Sequence, residues 1–178
     1  KQWESNQTYK TPELKTGYKK KYILEAFPYP SGDGLHVGHA LPSTAGDITS
    51  RYYRLKGYKT LHPMGFDAFG LPTENFAIKK GIPPQETTLE SIKNFKVQLK
   101  KLGVDYDWTR QINTTDPNYY KWTQWLFQLL YKRGLAYKKE ALVNWDPIDK
   151  TVLANEQVTK DGTAERSGAI VEQKLMSQ

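Results

Sequence analysis

Apolar residues along this chain follow two rhythms, short unbroken runs and longer stretches that repeat every three or four positions, and the two alternate before the texture changes near Leu135. The run Tyr22-Ile23-Leu24-Glu25-Ala26-Phe27 has strand propensity and is bounded by turn residues. Between Gly38 and Gly57, Ile48, Tyr52 and Leu55 predict the apolar side of an amphipathic helix, with Thr49, Arg51 and Arg54 left for its solvent face. Residues 58–64 form a second strand candidate, and Asp67-Ala68-Phe69-Gly70-Leu71-Pro72 a second loop that opens a helix, with Pro72 suited to the first turn. Strand, loop and helix thus occur twice in succession. That pattern predicts an α/β fold with a Rossmann-like parallel sheet, whose ligands lie beyond the carboxyl ends of the strands.

The helical rhythm then takes over. Thr87-Thr88-Leu89-Glu90 has capping-box spacing, and Leu89, Ile92, Phe95, Leu99 and Leu102 recur at helical intervals until Gly103. Asp116 and Pro117 start a further helix, for which Trp122, Trp125, Leu126, Leu129 and Leu130 predict a buried stripe and Gly134 a stop. Beyond Leu135, short apolar runs separated by Asp146-Pro147, Asp161-Gly162 and Ser167-Gly168 predict hairpins. Residues 1–134 are therefore expected to form the main domain and residues 135–178 a small β-rich module. Within the former, residues 1–20 read as an arm with a short helix near Trp3, packing Trp3 and Tyr9 on the core.

A length of 178 residues suits one good-sized domain with such an appendage. The chain has no Cys, which excludes disulfides and thiolate metal sites and fits a reducing, cytoplasmic location. No run of 18 apolar residues and no signal-peptide pattern point to a membrane or to secretion. The net charge of +7 and pI near 9.3 favour polyanionic partners such as tRNA or ATP, although the lysines are scattered as on a solvated surface.

Candidate chemistry gathers in one place. Two of the three histidines, His36 and His39, flank Gly38 where a loop containing Pro28, Pro30, Gly32 and Gly34 opens the first long helix. A helix start offers unpaired N–H groups and the positive end of the macrodipole, which suits phosphate. Imidazoles there can donate hydrogen bonds to a phosphate whose charge grows during transfer, and Gly38, lacking a Cβ, leaves room for a nucleotide. Taken alone, the four residues are equally compatible with two histidines that merely cap or pack a helix start.

His36-Val37-Gly38-His39 resembles the HIGH signature of class I aminoacyl-tRNA synthetases, and Phe27-Pro28-Tyr29-Pro30-Ser31-Gly32 is similar to the leucyl branch. Leu61–Pro72, Leu102–Trp108, Val143–Pro147 and Thr151–Glu156 agree, so the resemblance covers nearly the whole chain. It implies the N-terminal part of a HUP-type catalytic domain, with residues 135–178 leading toward a connective or editing insertion. The implied reaction is ATP-dependent activation of L-leucine to leucyl-adenylate, followed by transfer to tRNA(Leu), with Mg²⁺ accompanying ATP and a monomer in the complete enzyme. Implied roles are catalysis for His36 and His39, ATP binding for His36, Gly38 and His39, and leucine binding for Phe27, Tyr29 and Asp67. His62 carries no implied role and reads as structural. The family's second ATP signature, Lys-Met-Ser-Lys-Ser, is absent, so the 178 residues alone are expected to be incomplete as an enzyme. Many relatives bind zinc in the small module; here Asp146 stands where Cys is common, and a zinc-free module held by Trp145, Val152, Leu153 and Val158 is expected. Two other readings fit parts of the pattern: a small-molecule nucleotidylyltransferase of the same fold, and a non-catalytic basic tRNA-binding module.

Overall fold

The computed structural model describes residues 2–13, 15–31 and 34–177, which divide after Thr123 into two compact units. Leu14, and Gly32 and Asp33 of the candidate loop, lie outside the described residues, as do Lys1 and Gln178.

The first unit opens with a single turn of helix, α1 (Gln2–Ser5), followed by strand β1 (Lys20–Tyr22), helix α2 (Val37–Leu55) and strand β2 (Lys59–Leu61). β1 and β2 are parallel, with Lys20 opposite Lys59 and Tyr22 opposite Leu61, and the Ile23 amide adds one more bond to the Leu61 carbonyl. The ladder therefore starts earlier and ends sooner than the apolar run at 22–27 predicts. Pro63 has no N–H to continue it from the β2 side, and Glu25 turns its carboxylate to side-chain partners instead. Further on come β3 (Gly65–Phe66), α3 (Leu71–Lys80), α4 (Pro84–Leu102) and β4 (Ile112–Asn113), with β3 and β4 again parallel.

Helix α4 carries the apolar core. Ile92 and Phe95 pack with Phe66, and Leu99 with Met64, Val104 and Tyr106. It begins at Pro84, ahead of the Thr87–Glu90 capping box that the sequence suggests, because Pro83-Pro84 is preorganised for a helix start. The Thr87 and Thr88 hydroxyls donate back to the carbonyls of Pro83 and Pro84 and cap nothing. Gly103, at φ +76°, ends the helix as expected.

Helix α2 reverses the predicted faces except at Thr49, which is exposed as expected. Its buried residues are Ser43, Gly46 and Ser50, while Ile48, Tyr52 and Leu55 are 64%, 54% and 89% exposed. The inward stripe is completed by Asp47, Arg51 and Arg54. Arg51 binds Asp47 at 2.8 Å, the Tyr9 hydroxyl at 2.7 Å and the Gly103 carbonyl at 2.8 Å. Its guanidinium also lies over the rings of Trp3 and Tyr9, so the N-terminal arm is held by this arginine and Trp3 stays half exposed.

Helix α5 (Pro117–Lys132) starts and stops as its sequence predicts, with the Asp116 carboxylate accepting from the Asn118 amide and Gly134 at φ +69°. The predicted buried stripe is not observed: none of its residues is buried, and Trp122, Trp125, Leu126 and Leu130 are 38–64% exposed. Periodicity reports a face suited to burial without saying what covers it.

The second unit holds an antiparallel sheet in the order β6 (Thr151–Leu153), β5 (Glu140–Asp146), β7 (Glu172–Ser177). Its centre is polar where packing of Trp145, Val152, Leu153 and Val158 is predicted. Of these only Leu153 is buried, beside Ala164, Ala169 and the fully buried Asp146. One Asp146 oxygen accepts from the amides of Ile148 and Asp149, and the other from the Ser167 hydroxyl at 2.6 Å. The Ser167 hydroxyl and these amides hold its carboxyl below the usual range, so a carboxylate knots the two turns together.

Candidate active site at the start of helix α2

His36 is the N-cap of α2, and its Nδ1 accepts from the Gly38 amide at 3.1 Å. His39, three residues on, returns the bond, its Nδ1 accepting from the His36 amide at 3.2 Å. The two imidazoles form a capping box, a role ordinarily filled by Ser or Thr with Glu or Gln. Their ring centroids are 3.9 Å apart. Each Nδ1 lone pair is occupied, so in the neutral rings the proton sits on Nε2. Burial against the core, followed by the neighbouring His36, holds His39 below the ordinary imidazole value and keeps it neutral at physiological pH. Two Nε2–H donors therefore stand at the positive end of the α2 dipole, where the cap already engages the amides of His36 and Gly38.

The space at Gly38 has a definite use. A Cβ there would come within 2.8 Å of His36 Cε1, so the glycine admits the folded-back imidazole. The loop before the helix is tied down by Gln98 of α4, whose side-chain oxygen accepts from the Leu35 amide at 2.7 Å. His39 in turn meets the edge of Phe95 at 5.9 Å, which fixes the helix start against the apolar core.

Phe27, Tyr29 and Asp67 follow the carboxyl ends of the parallel strands. The Phe27 ring packs on the cluster of Met64, Leu99, Val104 and Tyr106 and lies so close to Gly65 that a Cβ there would overlap it. Tyr29 is 52% exposed, between the buried Pro28 and Pro30. The Asp67 amide donates to the Pro28 carbonyl at 3.0 Å, which joins the loop after β1 to the loop after β3. The hydroxyl oxygen of Thr114, just past β4, accepts from the Ala68 amide at 2.8 Å and lies 3.5 Å from Asp67 Oδ1. Thr114 and Gln98 are supports that the sequence does not announce, since neither stands in a motif and each meets its partner only in the fold.

The description "tRNA synthetases class I (I, L, M and V)" belongs to the family model that matches residues 1–167. The leucine–tRNA ligase of Clavibacter michiganensis subsp. michiganensis is 52% identical over 176 residues, 99% of this chain and 21% of its own length. That of a Synechococcus strain is 57% identical over 169 residues, 95% of this chain and 19% of its own. The chain thus spans about a fifth of the length of the curated relatives it matches. In the ternary complex of Agrobacterium radiobacter K84 agnB2 LeuRS with tRNA and LeuAMS, the matching region superimposes with a TM-score of 0.89 at 41% identity, covering 99% of this chain and 22% of that one. Methionyl-tRNA synthetase of Mycobacterium tuberculosis, bound to methionyl-adenylate, shares the fold at a TM-score of 0.68 and 23% identity over 90% of this chain and 31% of that one. With the family match running through nearly all of its length, the chain belongs to the class I tRNA synthetases of the I, L, M and V group.

Proposed function

We propose that this chain is the ATP-binding half of a leucine–tRNA ligase active site. The observation that carries the reading is the reciprocal imidazole cap, which occupies both Nδ1 atoms and leaves the two Nε2–H groups as donors at a helix start whose dipole suits phosphate. In the reaction the leucine carboxylate attacks the α-phosphorus of ATP, the bond to the bridging oxygen breaks, and pyrophosphate leaves with the electron pair. The donors of His36 and His39 meet the charge that grows on the phosphate oxygens, and such preorganised donors need no rearrangement as it does so. Gly38 contributes by keeping the cap compact, and Mg²⁺ enters with the ATP as part of that substrate. Asp67 supplies the carboxylate for the leucine ammonium, and Phe27 and Tyr29 line the isobutyl group. Leucyl-adenylate then passes its acyl group to tRNA(Leu), in the cytoplasm and on a monomeric enzyme. The names of the relatives at 52–57% identity support leucine over other amino acids.

Among the described residues no helix is long and apolar enough to cross a membrane. We also infer that the β-rich module needs no zinc, because both Asp146 oxygens are engaged within its own turns. Stoichiometric zinc in dialysed protein would contradict this.

Leucine-dependent pyrophosphate exchange tests the central reading in the full-length protein. His36→Ala or His39→Ala is expected to raise the barrier by about 3–4 kcal/mol, the usual effect of losing one such donor, and to leave leucine binding nearly unchanged. Undiminished exchange in both variants would overturn the assignment.

A further inference from the structure

A polar assembly outside the site is buried between α2 and the strands, and its centre is His62, a residue of zero solvent exposure. Its Nδ1 lies 2.7 Å from Asp105 Oδ1 and its Nε2 lies 2.8 Å from Glu25 Oε1. Neither nitrogen can bond an ionised carboxylate without carrying a proton, so the ring between two carboxylates is an imidazolium. Other partners hold each carboxylate. Asp105 Oδ2 accepts from the Ser50 hydroxyl at 2.6 Å and from Arg54 Nε at 3.0 Å, and Glu25 Oε2 accepts from the Tyr106 phenol at 2.7 Å. Tyr106 is also hydrogen-bonded with Ser43 at 2.9 Å, and the Asp105 amide donates to Asp47 on the same helix face.

Two features set this assembly apart from ordinary core filling. Its charges cancel, Glu25 and Asp105 against His62 and Arg54, while Asp47 is matched by Arg51. Every contact of α2 within it falls on positions 43, 46, 47, 50 and 54, one stripe of the helix whose first residues are set by His36 and His39. Gly46 belongs to the same device, since a Cβ there would overlap the Glu25 carboxylate and come within 2.9 Å of His62 Nε2.

We propose that Glu25, His62 and Asp105 form a charge-balanced strut that sets the height and rotation of α2 against the sheet, making His62 a positioning residue for the chemistry at His36 and His39. The inference rests on the functional reading above for its kinetic consequence and on geometry alone for the strut. Burial opposes a charge on His62, but the bonds to Asp105 and then Glu25 outweigh it and leave the ring easier to protonate than a free imidazole. Tyr106 stays a proton donor, its phenol pushed far above its ordinary value mainly by burial. If the ring lost its proton, Glu25 and Asp105 would face one cation, Arg54, and one ring nitrogen would turn its lone pair on a carboxylate.

Nitrogen-15-edited imidazole spectra of the wild-type protein test the strut without reference to any substrate. Both ring nitrogens of His62 are expected to bear protons at pH 7.5, and a single protonated nitrogen there would overturn the proposal. Exchange kinetics in the full-length protein test its use. His62→Gln strands one charge and is expected to lower kcat by roughly 10–100-fold with KM for leucine little changed, the signature of misplaced rather than missing donors. His62→Gln with Glu25→Gln restores neutrality with an amide pair and is expected to regain most of that loss. An unaltered kcat in the single variant, or a double variant slower than the single one, would refute the positioning role. Absence of leucine-dependent exchange in the wild type would refute the functional reading instead and leave the spectra to decide the strut.

Discussion

Helices α2 and α4 are each 19 residues long, and the chain docks them by opposite means. α4 buries Ile92, Phe95 and Leu99 along its middle and last turns, after Thr87, Thr88 and Ser91 nearer its start, so the apolar part of its seat is non-directional and tolerates small adjustments. α2 buries serine, glycine and charged groups and turns Ile48, Tyr52 and Leu55 outward, so its seat is a set of directed bonds with few acceptable geometries. For a helix that, on the reading proposed above, presents two donors at fixed positions, directed bonds hold the geometry better than apolar packing. The energetic consequence is that α2 should be sensitive to single proton-bearing groups and to pH, and α4 to side-chain volume.

The largest break should come from emptying the two seats. His62→Ala removes the cation between Glu25 and Asp105 and is expected to cost about 3–5 kcal/mol of stability at neutral pH, less in acid as the stranded carboxylates protonate. Phe95→Ala should cost about 3–4 kcal/mol with little change across the same pH range. Urea unfolding of both variants at several pH values checks the contrast, and parallel pH profiles would erase it.

Gly46→Ala sharpens it further. On an ordinary helix face alanine in place of glycine stabilises by about 1 kcal/mol, but here the methyl overlaps Glu25, and a loss of about 2 kcal/mol is expected from the same unfolding measurement.

The wild-type pH profile should carry the mark of α2's seat. His62 binds its proton more tightly when folded, so its contribution is complete below the ordinary imidazole value of 6.5 and drains as pH rises through the raised one. Burial would raise the Asp105 carboxyl, yet the bonds from His62 and Ser50 win and hold it low, so its contribution is present above 3.8 and lost as pH falls through the depressed value. Stability should be greatest from mildly acidic to neutral pH. Its alkaline decline, at most about 1.4 kcal/mol per pH unit for one proton, should vanish in His62→Gln. The smallest effect tests where the two helices meet the loop: Gln98→Ala takes away the acceptor for the Leu35 amide and is expected to cost about 1 kcal/mol.

The same contrast explains what could be read from the sequence. The body and end of α4 are legible because Ile92, Phe95 and Leu99 advertise the helix and its buried face and Gly103 its stop, whereas its start at Pro84 precedes the capping box read at Thr87–Glu90. The length of α2 was equally legible, but its orientation was not. Ser43, Gly46 and Ser50 look like solvent-facing residues unless His62, Asp105 and Glu25 are known to converge on them, and those partners lie 12 or more positions away. α5 has an apolar stripe, and the stripe is exposed, since periodicity does not name a covering surface. The candidate site stood out because its loop and both histidines are contiguous. Its reciprocal cap bears out the capping reading of His36-Val37-Gly38-His39 and is compatible with the other, since histidines that cap a helix are thereby held in fixed orientations. His62 reads as structural in sequence because nothing local links it to α2.

The imidazole cap also makes the opening of α2 a proton-gated latch that hydrogen exchange can follow. The His36 amide is protected only while His39 Nδ1 holds a free lone pair, and a proton on that nitrogen would turn an acceptor into a second donor facing the helix dipole. Because burial and its neighbour keep His39 from protonating readily, the latch stays shut in mild acid where an exposed imidazole would already have released it. The amide of His36 would then lose its protection factor ahead of those deeper in the helix, so acid would loosen the N-terminal end of α2 while the strut below still holds.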